Sequence, residues 1–144
     1  MITGSKKTHR ALAVAAAATL SVLAGSAFAK DVQVTLTGAE ETPPVTSTAT
    51  GQGKISVVGK DHTVTGSIKT SGIEGVMAHI HVGAPGTSGK AIITLVKAAD
   101  GSWTVPDGTK LTDEQYASFT AGNLYVNVHS ADHRGGEIRG QIKP

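Results

Sequence analysis

The chain has no cysteine. That excludes disulfide bonds, thiolate metal sites and a lipid anchor on cysteine. The fold must therefore be stabilised by burial, by a closed β-architecture or by a ligand. Aromatic residues are nearly as scarce, with two Phe, two Tyr and one Trp in 144 residues, so the core has to be built from Val, Ile, Leu and Ala. A run of apolar residues long enough to cross a bilayer is missing too. Residues 11–23 are apolar but Ala-rich, and they fall short of the roughly 20 residues a spanning helix needs.

The same run has another reading. Lys6, Lys7 and Arg10 precede it, and Ala27-Phe28-Ala29 follows, with small residues where a signal peptidase requires them. A charged start, an apolar stretch and an A-x-A site predict a secretory signal over residues 1–29, cleaved after Ala29. The mature domain is then residues 30–144, with no membrane span after cleavage and a periplasmic or secreted location. Three of the 13 Lys and Arg would leave with the signal while all 11 acids remain, which takes the formal charge from +2 to −1. No basic patch remains to attract nucleic acid or an anionic membrane surface. A mature chain of about 115 residues is large enough to bury a core without covalent staples.

What is abundant is period-two alternation. Val32, Val34 and Leu36 alternate with Gln33 and Thr35, and Val64, Gly66 and Ile68 alternate with Thr65 and Ser67. Ile55 with Val57, and residues 76–82, 91–96, 124–128 and 138–142, continue the pattern, which predicts strands with one buried face. Turn residues separate them at Pro43-Pro44, Gly59-Lys60-Asp61, residues 83–89, Asp100-Gly101, Pro106-Asp107-Gly108 and Gly135-Gly136. Short strands at this spacing predict an all-β fold, a Greek-key β-sandwich or barrel. One segment differs. Thr112 before Asp113 and Glu114, with Leu111, Tyr116 and Phe119 near helical spacing and Gly122 as a stop, predicts one short helix over 113–121.

The residues with chemistry are histidines. In Val76-Met77-Ala78-His79-Ile80-His81-Val82, a strand puts His79, His81 and Met77 on one face and Val76, Ala78, Ile80 and Val82 on the other. Cα atoms two residues apart on a strand are roughly 6.5–7 Å apart, close enough for two imidazoles to reach one ion. Tyr125, Asn127 and His129 share one face of a later strand. If the two strands are neighbours, His79, His81 and His129 form a metal site, with His133 and Met77 as further candidates. Imidazoles without thiolate suit copper or zinc, and a nearby thioether favours copper. The alternative is that these rings only hydrogen-bond to each other or to the backbone. His62, in a Gly-Lys-Asp-His turn, reads as exposed, and His133 reads as an exposed turn residue ahead of a ligand.

Other groupings carry less. The loop 83–89 is Gly-rich without the Lys-Ser/Thr ending of a phosphate loop. Glu40-Glu41 before two prolines reads as a solvated turn in which Glu41 can hold a structural bond. Asp132, Arg134, Glu137 and Arg139 read as local ion pairs. No nucleophile–base pair is apparent, so no enzyme class is predicted.

Four ordered motifs carry a resemblance. They are Gly38-Ala39-Glu40-Glu41-Thr42-Pro43-Pro44-Val45, then Ala78-His79-Ile80-His81-Val82-Gly83, then Leu124-Tyr125-Val126-Asn127-Val128-His129-Ser130, and Gly136-Glu137-Ile138-Arg139-Gly140-Gln141-Ile142. Over residues 32–142 the chain resembles the CHRD domain, which is named from chordin and occurs in bacterial exported single-domain proteins. The resemblance implies an extracytoplasmic β-sandwich, immunoglobulin-like or Cu,Zn superoxide dismutase-like. The H-x-H with a later His is similar to the copper-ligand layout of the dismutase, although that layout also needs zinc ligands and a disulfide. The implied function is an exported binding protein that takes a metal ion, copper ahead of zinc. The other functional expectation is an extracytoplasmic protein–protein interaction or structural envelope module without metal.

Overall fold

The computed structural model of the chain describes Met1 and residues 28–144. The expected signal segment lies almost wholly outside the described residues. Nine strands and one α-helix follow one another as β1 (Ala29–Thr37), β2 (Thr50–Val58), β3 (Val64–Ser71), β4 (Gly75–Val82), β5 (Ala91–Thr94), β6 (Val96–Lys97), β7 (Trp103–Thr104), α1 (Asp113–Thr120), β8 (Leu124–Ser130) and β9 (Ile138–Ile142). A 3-10 turn at Gly38–Glu40 follows β1. All pairings between these strands are antiparallel, in the order β5-β4-β8-β9-β1-β2-β3-β7-β6. The two ends of that order, β5 and β6, are successive in the chain on either side of Leu95, whose N–H donates to the carbonyl of Ala78 at 2.9 Å. The sheet is thereby a nearly closed barrel. This is the expected all-β fold with one short helix.

The alternation read in the sequence fills the interior. Val32, Val34 and Leu36 of β1, Ile55 and Val57 of β2, Val64 and Ile68 of β3, Ala78 and Ile80 of β4, Leu124, Val126 and Val128 of β8, and Ile138 and Ile142 of β9 form one buried cluster with Trp103 and Phe119. Aliphatic side chains dominate it, as the shortage of aromatics requires. Helix α1 covers part of the barrel by burying Phe119 and packing Tyr116. It starts as expected, with a capping box in which Thr112 Oγ1 accepts from the Gln115 N–H and Gln115 Oε1 accepts from the Thr112 N–H. It ends one residue earlier than expected, ahead of Gly122 at φ +74°.

Two positions depart from the sequence pattern. Val76 precedes Met77 at the start of β4, and strict alternation makes it a core residue, yet it is 54% exposed. The cause is a bulge. Gly75 faces Ser130 and Met77 faces His129, so Val76 is an extra residue without a partner on β8. His62 is not a freely exposed turn residue. It sits at φ +57°, its ring stacks on Tyr116 at 4.0 Å, and it ties the β2–β3 turn to α1.

The bulge yields a contrast within one strand. Ile80→Ala should cost about 2–5 kcal/mol, because Ile80 is 1% exposed in the cluster. Val76→Ala should stay within about 0.5 kcal/mol. Urea midpoints at unchanged slope would measure both, and a large loss for Val76→Ala would contradict the bulge.

Candidate metal centre

The outer face of β4, β8 and β9 holds the polar residues of the alternation. Register places them in rows. His81 lies beside Tyr125 and then Gln141, His79 beside Asn127 and then Arg139, and Met77 beside His129. A face of such composition ordinarily meets solvent. Here every residue of β8 is buried, including Tyr125, Asn127 and His129. The covering groups come from loops. Arg139, 1% exposed, donates from Nη1 to Thr87 O at 2.8 Å and from Nη2 to Ala84 O and Gln141 Oε1 at 3.0 Å. Gln141 Nε2 donates to Gly83 O and Gly122 O. These bonds fasten loop 83–89 over Tyr125, whose ring carries the Arg139 guanidinium 3.5 Å from its centroid. Arg139 is thus a buried cation holding a loop, not a surface ion pair as its sequence surroundings suggest. Glu41 is likewise buried, at 7% exposure, instead of lying in a solvated turn.

On this face three rings converge. One nitrogen from each of His79, His81 and His129 lies within 4.8 Å of the others. An ion bonded to imidazoles at about 2.0–2.1 Å holds nitrogens some 3.3–4.2 Å apart, so small ring rotations close the set. His79 Nδ1 and His129 Nε2 are already 3.0 Å apart. The rings of His79 stand edge-on to both others, at 5.5 and 4.9 Å between centroids.

Backbone carbonyls decide which nitrogens are free. His81 Nδ1 lies 2.9 Å from Gly89 O, and His129 Nδ1 lies 2.8 Å from Arg134 O. A carbonyl only accepts, so both Nδ1 atoms carry the proton and both Nε2 atoms present a lone pair. His79 Nδ1–H then donates to His129 Nε2 in the metal-free protein, and an ion binding all three rings takes the place of that proton. These bonds, histidine to histidine and histidine to backbone, are the ones that the hydrogen-bonding alternative expects.

The electrostatics favour the neutral forms of His79 and His81. Burial comes first among the causes that lower the His79 pKa from its ordinary 6.5, followed by the neighbouring His129 and His81. His81 is lowered mainly by burial, against the opposing bond to Gly89. Burial raises the Glu41 carboxyl above its ordinary 4.5, with the Asn127 side chain, the Thr42 backbone and Arg139 acting in the other direction.

The remaining candidates sit at the margin. Met77 is 47% exposed at the rim, opposite His129. His133 lies outside the three-ring group, in the turn that returns from β8 to β9. Its N–H donates to Ser130 Oγ, and it adds a small electrostatic contribution to lowering the Glu137 carboxyl, after the hydrogen bonds from Ser130 and Ser47. Sequence reasoning missed the parts played by Asn127, Tyr125, Arg139 and Glu41. The only signal was an unbroken polar row within strands of otherwise high β-propensity.

The CHRD domain family model matches residues 32–142, which span all of these elements. The chain belongs to the CHRD domain family. No curated protein and no solved structure matches it. The three histidines of this CHRD domain lie inside the matched region, as do Asn127 and Arg139. Among the described residues, no helix is long and apolar enough to cross a membrane.

Lowered histidine pKa values give stability a definite pH dependence. Unfolded imidazoles take up protons near pH 6.5 and the folded rings only below it. As the pH falls past 6.5 the unfolded state binds more protons, so stability is full above that pH and declines below it. Glu41 acts in the opposite sense, because its raised carboxyl favours the folded state as the pH falls toward 4.5. The melting temperature of metal-free protein should therefore fall as the pH drops below 6.5, and His79→Gln/His81→Gln should flatten that part of the curve. An unchanged slope in the double variant would assign the loss to other groups.

Proposed function

We propose that this CHRD domain is an exported metal-binding module that holds copper, with zinc second, through His79 Nδ1, His81 Nε2 and His129 Nε2. The observation that carries the reading is the pair of carbonyl bonds from Gly89 and Arg134. They leave His81 and His129 each with an Nε2 lone pair, and one nitrogen of each lies within 4.8 Å of one of His79. Orienting bonds on the second nitrogen are what metal-ligating histidines need, because they fix tautomer and ring direction before the ion arrives. Neutral imidazole donors without thiolate suit both ions. Copper is preferred for the thioether of Met77 at the rim, beside His129. His133 is a further candidate only through movement of its turn. The charged start and A-x-A site of residues 1–29 support a location outside the cytoplasm, periplasmic or secreted. The role proposed is binding, not catalysis.

A second reading has its own observation. Val76, Met77 and Val96 are 54%, 47% and 54% exposed, and exposed apolar side chains suit a protein–protein contact. That reading predicts binding that is indifferent to metal.

The deciding experiment is a thermal melt of metal-stripped mature protein with Cu(I), Cu(II) or Zn(II). An ion that binds only the folded state stabilises it by about 2.7 kcal/mol at a hundredfold excess over Kd, which moves the melting temperature by several degrees. Copper should give the larger shift, and His79→Ala and His129→Ala should each abolish it. No shift with any ion would leave the histidines as hydrogen-bonding groups and bring the protein-contact reading forward.

A further inference from the structure

Asn127 occupies the centre of the outer face, with His79 beside it on β4 and Arg139 beside it on β9. It is 2% exposed. Its Oδ1 is buried without a hydrogen-bond partner, and so is Nε2 of His81. The orientation of the amide follows from its neighbours. A β-carbon at Gly136, which has φ +125°, would run into both Glu41 Oε1 and Asn127 Nδ2, so those two atoms share one corner. The Asn127 side chain favours the ionised form of Glu41, as a donating Nδ2 would. Nδ2 is thus turned to the corner of Gly136 and Glu41, and Oδ1 away from it.

Two buried acceptors of this face, Asn127 Oδ1 and His81 Nε2, are left without a donor. His81 has committed its only N–H to Gly89 O, so its Nε2 can only accept. Oδ1 of an amide can only accept as well. Buried lone pairs without a partner cost free energy unless a positive group reaches them. His81 Nε2 is also one of the three nitrogens of the proposed site, so the positive group that would satisfy the site would satisfy Oδ1 too.

We infer that Asn127 Oδ1 is a fourth ligand atom of the three-histidine site, an amide oxygen supplied from the floor of the face. The inference rests on the metal-binding reading and adds selectivity to it. An amide oxygen is a hard donor, unlike the thioether of Met77, and it stabilises a divalent ion more than Cu(I). Met77 at the rim and Asn127 at the floor are therefore opposed in preference, and the oxygen is the one that is fixed in place and shielded from solvent.

The test compares wild type with Asn127→Leu, which keeps the bulk of the side chain and removes the oxygen. Affinities for Cu(I), Cu(II) and Zn(II) alone are measured by competition with chelators, and the melting temperature is measured without metal. We expect Asn127→Leu to weaken Cu(II) and Zn(II) on the order of tenfold to a hundredfold and Cu(I) much less. Without metal its melting temperature should hold or rise, because an unpartnered acceptor has been removed. Wild-type affinities in the variant would overturn the inference and leave the oxygen to a buried water. Equal losses for all three ions together with a lower metal-free melting temperature would overturn it in favour of a packing role. Wild type that takes up no ion, or does so without His79, would overturn the three-histidine reading as well.

Discussion

A guanidinium that is almost wholly removed from water has to be solvated by the protein itself, and Arg139 is solvated by the loop that follows β4. Its planar fork meets the carbonyls of Ala84 and Thr87 and the amide of Gln141, and its flat face lies on Tyr125. Leaving any of those donors unpaired would be costly for a buried charge, so the loop is held wherever the guanidinium is held. The far end of the same loop carries Gly89, whose carbonyl fixes the proton of His81. Arg139 on β9, two strands away from His81, thereby decides which nitrogen of His81 is free. Lysine has the charge but not the fork, and could not meet the same set of acceptors.

The outer face shows how a sheet can be polar and buried at once. Inside the barrel the side chains are aliphatic and interchangeable in kind. Outside, on β4, β8 and β9, most polar groups have a specific neighbour; His81 Nε2 and Asn127 Oδ1 are buried without one, as is Glu41 Oε1 in the corner beside Asn127. Fully partnered polar layers rigidify a structure, and the unpartnered members of such a layer mark the places where a ligand has the most to contribute. The lowered histidine pKa values point the same way. Groups kept neutral by burial lose little on giving a lone pair to a cation, because few protons must first be removed.

The barrel was largely legible in the sequence, because the interior of a small β-protein writes itself as alternation. Val32, Val34 and Leu36, or Leu124, Val126 and Val128, could face only a core. The helix was legible for a similar reason, since Thr112 and Gln115 are a local signal that needs no distant partner. The H-x-H pair was legible as a shared face, and its meeting with His129 depended on β4 lying beside β8, which spacing could not decide. What was not legible was anything made by a loop returning over a strand. Tyr125, Asn127 and Arg139 have the composition of a wetted face, and only the fastening of loop 83–89 changes their surroundings. Val76 was misplaced for a different reason, because a one-residue bulge leaves no trace in an alternating pattern, and His62 because a stacked partner lay more than fifty residues away.

The closure of the sheet has a consequence for how the domain behaves in numbers. The open ends of the strand order are β5 and β6, four and two residues long and joined through Leu95. The longest strands, β1 and β2, pair along their whole length, β2 has β3 on its other side, and β1 meets β9 at Thr37 and Arg139. The free ends at β5 and β6 thus offer a neighbouring chain only a short ladder to extend, and with no cysteine in the sequence that protection does not depend on an oxidising environment.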